Sequence, residues 1–386
     1  MKLFILLPRV PYPTEKGDKL RAFHQLKQLS RSHEVILCAL NDTVLHEEAL
    51  PVLQQYARAV HVLPISKIRI FLNLVRTLFT DQPLQVGYFY DRGTARKIRS
   101  LIARYQPDHI FCQLIRVAPY VRDIPVRKTL DYQDVFSKGV ERRLSSASFL
   151  LRPFLRMEYR RLLKFEHDVF GWFDNRIIIS APDRDLIPHP EREKIVVVPN
   201  GVDTDFFRPV EREKEYDLLF TGNMGYPPNI HAAEFLVHKI LPLVLPDFPE
   251  IRLLIAGASP NIRVAALASP QVEVSGWVPD MRECYARARI FIAPMQLGTG
   301  LQNKLLEAMA MQIPCITSPL ANLALGAAEG KDILVAATPE EYAGHIRNLM
   351  RSPELRKETG INGFRYATSH FSWEKETEKI NQLITR

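Results

Sequence analysis

The chain carries 386 residues, 46% hydrophobic and 24% charged, with a formal net charge of +8. That balance excludes a disordered or low-complexity chain, and the length suits two globular domains better than a single core. Cys38, Cys112, Cys284 and Cys315 lie far apart with no Cys-x-x-Cys or Cys/His spacing, which argues against a zinc site or a disulfide framework and for core thiols in a reducing compartment.

In chain order, the opening Met-Lys-Leu-Phe-Ile-Leu-Leu-Pro reads as a buried strand over 2–7, too short for the apolar region and cleavage site of a signal peptide. β-rich runs recur at 34–40, 59–65, 109–114, 128–132, 175–180 and 194–198 with amphipathic segments between most of them, a rhythm that predicts a parallel sheet. Two amphipathic stretches, 67–79 and 149–164, stand apart and mix large apolar residues with cations. They read either as core-packing helices whose arginines reach outward or as helices lying in an anionic membrane interface. The Pro-bounded stretch 199–209 and the charged run 211–215 are composed like a linker, after which strands restart at 216–222, 252–258, 272–277, 290–295, 314–318 and 332–336. The restart predicts an α/β protein of two doubly wound, parallel-sheet, Rossmann-like domains facing a cleft, the first over 1–200 and the second over 201–365. The one long uncharged window, 308–328, is broken by Pro314 and Pro319, so no transmembrane span is expected. The positive excess, concentrated at 92–104 and 152–164, favours an anionic partner; by itself it leaves nucleic acid, a phosphate ligand and an anionic membrane open.

The segment 296–310, Gln-Leu-Gly-Thr-Gly-Leu-Gln-Asn-Lys-Leu-Leu-Glu-Ala-Met-Ala, carries the most chemistry. Gly298 and Gly300 let the backbone approach a ligand with no Cβ in the way, and the helix that follows offers unpaired N–H groups and a positive dipole end to an anion. Lys304 and Glu307 share one helix face, where the ammonium suits a phosphate and the carboxylate a ribose diol. In isolation such a pair reads as a solvated ion pair worth roughly a few tenths of a kcal/mol. The strand expected next puts the helix inside a strand-helix-strand unit with its start at the carboxyl edge of the sheet, where open α/β sheets bind ligands.

Together the motifs resemble the GT-B retaining glycosyltransferases of family four, the group one type, over essentially the whole chain. The loop 11–21 with Lys16, Gly17, Asp18 and Lys19 resembles the family's N-terminal glycine loop, and Val198-Pro-Asn-Gly-Val-Asp203 its interdomain signature. Phe220-Thr-Gly-Asn-Met-Gly225 with Pro228-Asn229, Val274-Ser-Gly-Trp-Val278 and 298–310 resemble its donor site. Phe371-Ser-Trp373 resembles the start of a C-terminal helix, 366–386, that crosses back to the first domain. The loop 300–304 and Asp131-Tyr-Gln-Asp134 are most similar to the exopolysaccharide and exosortase-associated subgroup. Two positions depart from the pattern: Thr299 stands where the family often has Glu, and Gln113 and Arg116 lie where many relatives carry a histidine.

The resemblance implies a hexosyltransferase that moves a sugar from a nucleotide diphosphate sugar to a hydroxyl acceptor with retention, needing neither metal nor cofactor. It places Lys304 and the amides of Gly298, Thr299 and Gly300 on the diphosphate, Glu307 on the ribose, and the backbone of Ser275, Gly276, Trp277 and Val278 on the base. Gly17, Gly222, Asn223, Leu301 and Asn303 complete the donor set. Lys16, Asp18, Lys19, Gln113 and Arg116 are candidates for a lipid-linked or saccharide acceptor, and Asp134 is the first acidic residue to test. Asp134 also reads as a turn carboxylate, the Gly17 loop as a plain surface turn, and Asp203-Thr-Asp205 mimics a metal-binding Asp-x-Asp inside the hinge signature. The expected setting is cytoplasmic, at the inner face of the membrane, with no nucleic-acid partner, since no recognition motif accompanies the charge. A non-catalytic nucleotide-sugar scaffold and a sugar-nucleotide epimerase on the same fold are the alternatives.

Overall fold

The computed structural model describes residues 1–14, 16–297 and 300–385, with the backbone only at 145 and 146. The chain divides into two units, Met1–Pro199 with Trp373–Arg386, and Asn200–Ser372.

In the first unit seven strands, β1 (Lys2–Leu7), β2 (Glu34–Asn41), β3 (Ala59–Pro64), β4 (His109–Gln113), β5 (Arg127–Asp131), β6 (Asn175–Ile178) and β7 (Val196–Val197), lie in the order β3-β2-β1-β4-β5-β6-β7. Every pairing is parallel. The period-two alternation of an extended chain sends Leu3, Ile5 and Leu7 to one face and Phe4 and Leu6 to the other. The first face is covered by Ala22 and Leu26 of the helix Gly17–Leu29 and by Ile380 and Ile384 of the helix Trp373–Thr385. The second is covered by Ile98 and Ile102 of Arg92–Tyr105 and by Leu162 and Val169 of Arg152–Phe170. Both faces being buried at the centre of the sheet, β1 and β2 are apolar nearly throughout, which is why they stand out in the sequence.

The second unit repeats the plan with β8 (Tyr216–Thr221), β9 (Leu253–Ala256), β10 (Val272–Gly276), β11 (Ala288–Ala293), β12 (Cys315–Thr317) and β13 (Leu334–Val335), all parallel, in the order β10-β9-β8-β11-β12-β13. The order reverses between β1 and β4 in one sheet and between β8 and β11 in the other. At such switch points the loops leave in opposite directions and open a crevice outside the carboxyl ends of the strands.

Two differences from the sequence reading bear on function. The helix after the glycine loop begins at Asn303, and the expected ligand contacts at Gly298 and Thr299 lie outside the described residues. The helix Lys67–Leu78 does not bury its apolar stripe: Ile70 and Thr77 face inward, while Ile68, Phe71, Leu72, Val75 and Leu78 face solvent, followed by Phe79 at 85% exposure. Asn73 ties the inner face down by donating to the Tyr90 carbonyl at 2.6 Å. All four cysteines are buried and free, and burial pushes the Cys38 thiol up to about 12. Among the described residues no helix is long and apolar enough to cross a membrane.

Candidate functional site

In the second unit the chain leaves β8 through Thr221 and Gly222 at the switch point, and the next strand in the sheet, β11, feeds the helix Asn303–Ala310 beside it. Gln302, the residue before that helix, supplies no side-chain cap, so the helix's first N–H groups keep their capacity for an anion. Its first turn carries Lys304 against the end of β8. The Lys304 ammonium donates to Asn229 Oδ1 at 2.6 Å, touches Met295 Sδ at 3.8 Å and lies 4.8 Å from the centre of the Phe220 ring. Asn229 is held in turn by donating its Nδ2 to the Asn223 carbonyl at 2.9 Å. This nest contains no carboxylate within ion-pair distance of the ammonium among the described residues, and burial lowers the Lys304 pKa to about 7, with Glu307 pulling weakly the other way. A cation kept short of counter-charge is poised for an anionic ligand.

Glu307, one turn on, accepts a hydrogen bond from Tyr285 Oη at 2.8 Å. Burial raises its pKa, against the opposing pull of the phenol and of Lys304. Backbone carries the site across the sheet: the Gly257 N–H donates to the Gly276 carbonyl at 3.0 Å, and the Gly222 N–H to the Ala256 carbonyl at 3.0 Å. Trp277 follows Gly276, exposed, and Ser275 Oγ donates to the Gly276 carbonyl. On the other side, the Gly300 carbonyl accepts from Gln302 Nε2, Leu301 packs on the core, and Asn303 Oδ1 accepts from Asn200 Nδ2 at 3.0 Å. Gly222, Asn223, Ser275 to Val278 and Gly300 to Glu307 therefore converge on one carboxyl edge.

The first unit has its own cluster at the β1/β4 switch point. Asp18 pairs with Arg9 at 2.8 Å, and its carbonyl accepts from Gln113 Nε2 at 3.0 Å. Arg116 donates to Gln85 Oε1 at 2.8 Å and lies over Phe136 at 4.4 Å, its pKa lowered to about 10 by burial and by Arg9, while the carboxylates of Asp18, Asp134 and Asp42 oppose that fall. Asp134 is exposed and accepts from the Val135 N–H at 2.7 Å. Lys16 and Gly17 are exposed at the start of Gly17–Leu29, with Lys19 two residues in, and a β-carbon on Gly17 would meet nothing within 4 Å. The buried carboxylate of the Asp131-Tyr-Gln-Asp134 segment is Asp131, which pairs with fully buried Arg21 at 2.6 Å and accepts from Gln25 at 3.0 Å. Asp203 Oδ1 accepts from the N–H groups of Asp205 and Phe206, each at 3.1 Å, as a turn carboxylate does.

Sequence reasoning missed Tyr285 and Gly257 in the second unit and Arg9 in the first, while Thr221 lies within the expected donor motif 220–225. Asn229 was expected there from the Pro228-Asn229 pair; Tyr285 had no signal, because its contacts with Thr221 and Glu307 are distant in sequence.

Two doubly wound parallel sheets in one chain match the two Rossmann-like domains of solved GT-B glycosyltransferases, a likeness of fold. Residues 215–352 match the family described as Glycosyl transferases group 1, and the chain is a glycosyltransferase carrying that domain. It is similar to an uncharacterized 44.6 kDa protein in the cps region of Klebsiella pneumoniae, at 23% identity with 98% of each chain covered. It is also 24% identical to the lipopolysaccharide core biosynthesis mannosyltransferase LpcC of Rhizobium leguminosarum bv. viciae, over 62% of this chain and 74% of that one. Among solved structures, Anabaena HepE in complex with UDP superposes with a TM-score of 0.71 at 13% identity, covering 100% of both chains, a likeness of fold.

Proposed function

We propose that this glycosyltransferase takes a sugar from a nucleoside diphosphate sugar and places it, with retention, on a hydroxyl of a lipid-linked or polysaccharide precursor, without a metal ion. The observation that carries the reading is the Lys304 ammonium, without an ion pair among the described residues, one turn before Glu307 at the β8/β11 switch point. The acceptor oxygen attacks the anomeric carbon, the bond from that carbon to the β-phosphate oxygen breaks, and the departing phosphate takes the acceptor's proton. Lys304 and the open N–H groups of its helix stabilise the charge that grows on the diphosphate, where a preorganised cation acts most strongly. Glu307 accepts from the ribose diol. A solved relative of this fold holding UDP supports a nucleoside diphosphate ligand, and the cps-region and lipopolysaccharide relatives support a surface-polysaccharide pathway. Lys16, Asp18, Lys19, Gln113 and Arg116 are proposed for the acceptor, and Asp134 as the catalytic carboxylate to test first. The turn role of Asp203 supports the metal-free reading.

The setting proposed is the inner face of the cytoplasmic membrane. The outward apolar stripe of Lys67–Leu78 is flanked by exposed Lys67 and Arg76, and exposed Phe149, Leu150, Leu151 and Phe154 are followed by exposed Arg156 and Arg160. None of these four cations has an ion pair among the described residues. An apolar stripe edged with cations fits anionic lipid.

The test is titration of the whole chain with UDP, GDP and ADP, with Lys304→Ala and Glu307→Ala as controls, followed by transfer assays with and without EDTA. Binding that survives both substitutions sinks the donor site; activity lost in EDTA and restored by a divalent ion sinks the metal-free mechanism. Full chain that fails to co-sediment with phosphatidylglycerol vesicles at low salt sinks the membrane reading.

A further inference from the structure

We infer that Tyr285 is a positioning residue for Glu307, holding its carboxylate ready for the ribose diol, with Thr221 holding Tyr285 in turn. The inference rests on the donor-site reading above.

Tyr285 sits on the short helix Met281–Ala286 with its side chain fully buried, and its ring is fixed by Phe291 at 5.6 Å and Phe207 at 6.1 Å. Its hydroxyl lies 2.8 Å from Glu307 Oε2, 2.9 Å from Thr221 Oγ1 and 3.4 Å from the Lys304 carbonyl. A phenol has one proton to give. An ionised carboxylate only accepts, so the proton goes to Glu307, and the Thr221 hydroxyl must then be the donor to the phenol oxygen. The chain Thr221 to Tyr285 to Glu307 is thereby polarised in one direction, each bond strengthening the next, and it ends on the acceptor-only group. It also ties together the three elements that build the site: the end of β8, the helix before β11 and the helix after it. Glu307 Oε1 accepts from no group among the described residues, which leaves it for a ligand hydroxyl while Oε2 is held.

Burial raises the Glu307 pKa and the phenol's hydrogen bond opposes that rise. Removing the phenol oxygen therefore frees the carboxylate to rotate and makes it easier to protonate. Both changes weaken a contact to ribose, and neither touches the phosphate contact made by Lys304.

Tyr285→Phe keeps the ring and its packing, so the variant folds. The experiment compares UDP with inorganic pyrophosphate, which lacks the ribose, on the wild-type chain, Tyr285→Phe, Glu307→Gln and the double variant. The expected result is roughly tenfold weaker UDP binding by Tyr285→Phe at pH 7, pyrophosphate affinity unchanged within about twofold, and no further loss when the substitution is made on Glu307→Gln. The low-pH limb of the UDP affinity profile should move to higher pH in Tyr285→Phe. Equal weakening of both ligands, additive losses in the double variant, or unchanged UDP binding while Glu307→Gln weakens it would each overturn the inference alone. Unchanged UDP binding in Glu307→Gln would overturn the donor-site reading and the inference with it.

Discussion

The α-carbon of Gly257 rests against the carbonyl of Gly222, so closely that a β-carbon on Gly257 would stand 1.8 Å from that oxygen. Gly222 is as confined: a β-carbon there would lie 2.7 Å from Asn229 Nδ2 and 3.2 Å from the Lys304 ammonium. Two glycines thus let the ends of β8 and β9 close up and let Lys304 and Asn229 reach the backbone. Gly257 has φ +138, which adds strain for any other residue. Gly257→Ala should cost on the order of 3 kcal/mol or more and abolish nucleotide binding, because the clash is with backbone that cannot swing aside. Urea unfolding and UDP titration check this; an unchanged midpoint would show that the strand ends are not packed as described.

Lys304 couples donor binding to protons. With its pKa near 7 in the free chain, a diphosphate should raise it, so binding at pH 8 takes up protons and affinity falls as the pH climbs past 7. Calorimetry in buffers of different ionisation enthalpy should show uptake approaching one proton, lost in Lys304→Met. The same group governs stability. Its folded pKa lies below the unfolded value of 10.5, so the cost of holding it charged is complete below about pH 7 and disappears as the pH rises towards 10.5. Lys304→Met should therefore stabilise the unliganded chain more at pH 6.5 than at pH 9.5.

Arg21 and Asp131 are both wholly buried and joined at 2.6 Å, with Arg21 Nη1 also donating to the Val198 carbonyl at 2.9 Å. Asp131→Ala leaves a buried cation and should cost about 3–5 kcal/mol, whereas Arg21→Met with Asp131→Leu should recover most of that loss. Chemical denaturation of the three variants decides it; a cheap Asp131→Ala would mean that water reaches the pair.

Phe71 is 66% exposed on the outward stripe of Lys67–Leu78. Phe71→Ser should change stability by less than about 0.5 kcal/mol and leave UDP affinity unchanged, since the ring supports neither core nor donor site. It should lower co-sedimentation with anionic vesicles several-fold. A large stability loss would show that the stripe is covered within the chain.

The central strands were legible because both faces of each sheet are buried there, so β1, β2, β8, β9 and β11 are apolar runs, whereas β5 (Arg-Lys-Thr-Leu-Asp) and β10 (Val-Glu-Val-Ser-Gly) are mixed. β1 was expected over 2–7 and spans Lys2–Leu7; the short edge strand β13 was expected over 332–336 and spans only Leu334–Val335, since an edge has one neighbour to pair with. Lys304 and Glu307 were legible because helix spacing fixes which side chains share a face. What periodicity does not carry is direction. The stripe of Lys67–Leu78 is plain in the sequence, but only tertiary contacts such as Asn73 with Tyr90 decide that it points outward. Long-range polar contacts are equally silent, and the link from Thr221 through Tyr285 to Glu307 joins residues that no local pattern connects.

The helix Trp373–Thr385 belongs to the unit that begins at Met1, so the second sheet with all its helices is threaded into the first unit as an insertion. During translation Ala22 and Leu26 must wait for Ile380 and Ile384 until everything between has left the ribosome. A prematurely terminated product ending anywhere before Trp373 would carry an uncapped greasy seam, a ready substrate for chaperones and proteases.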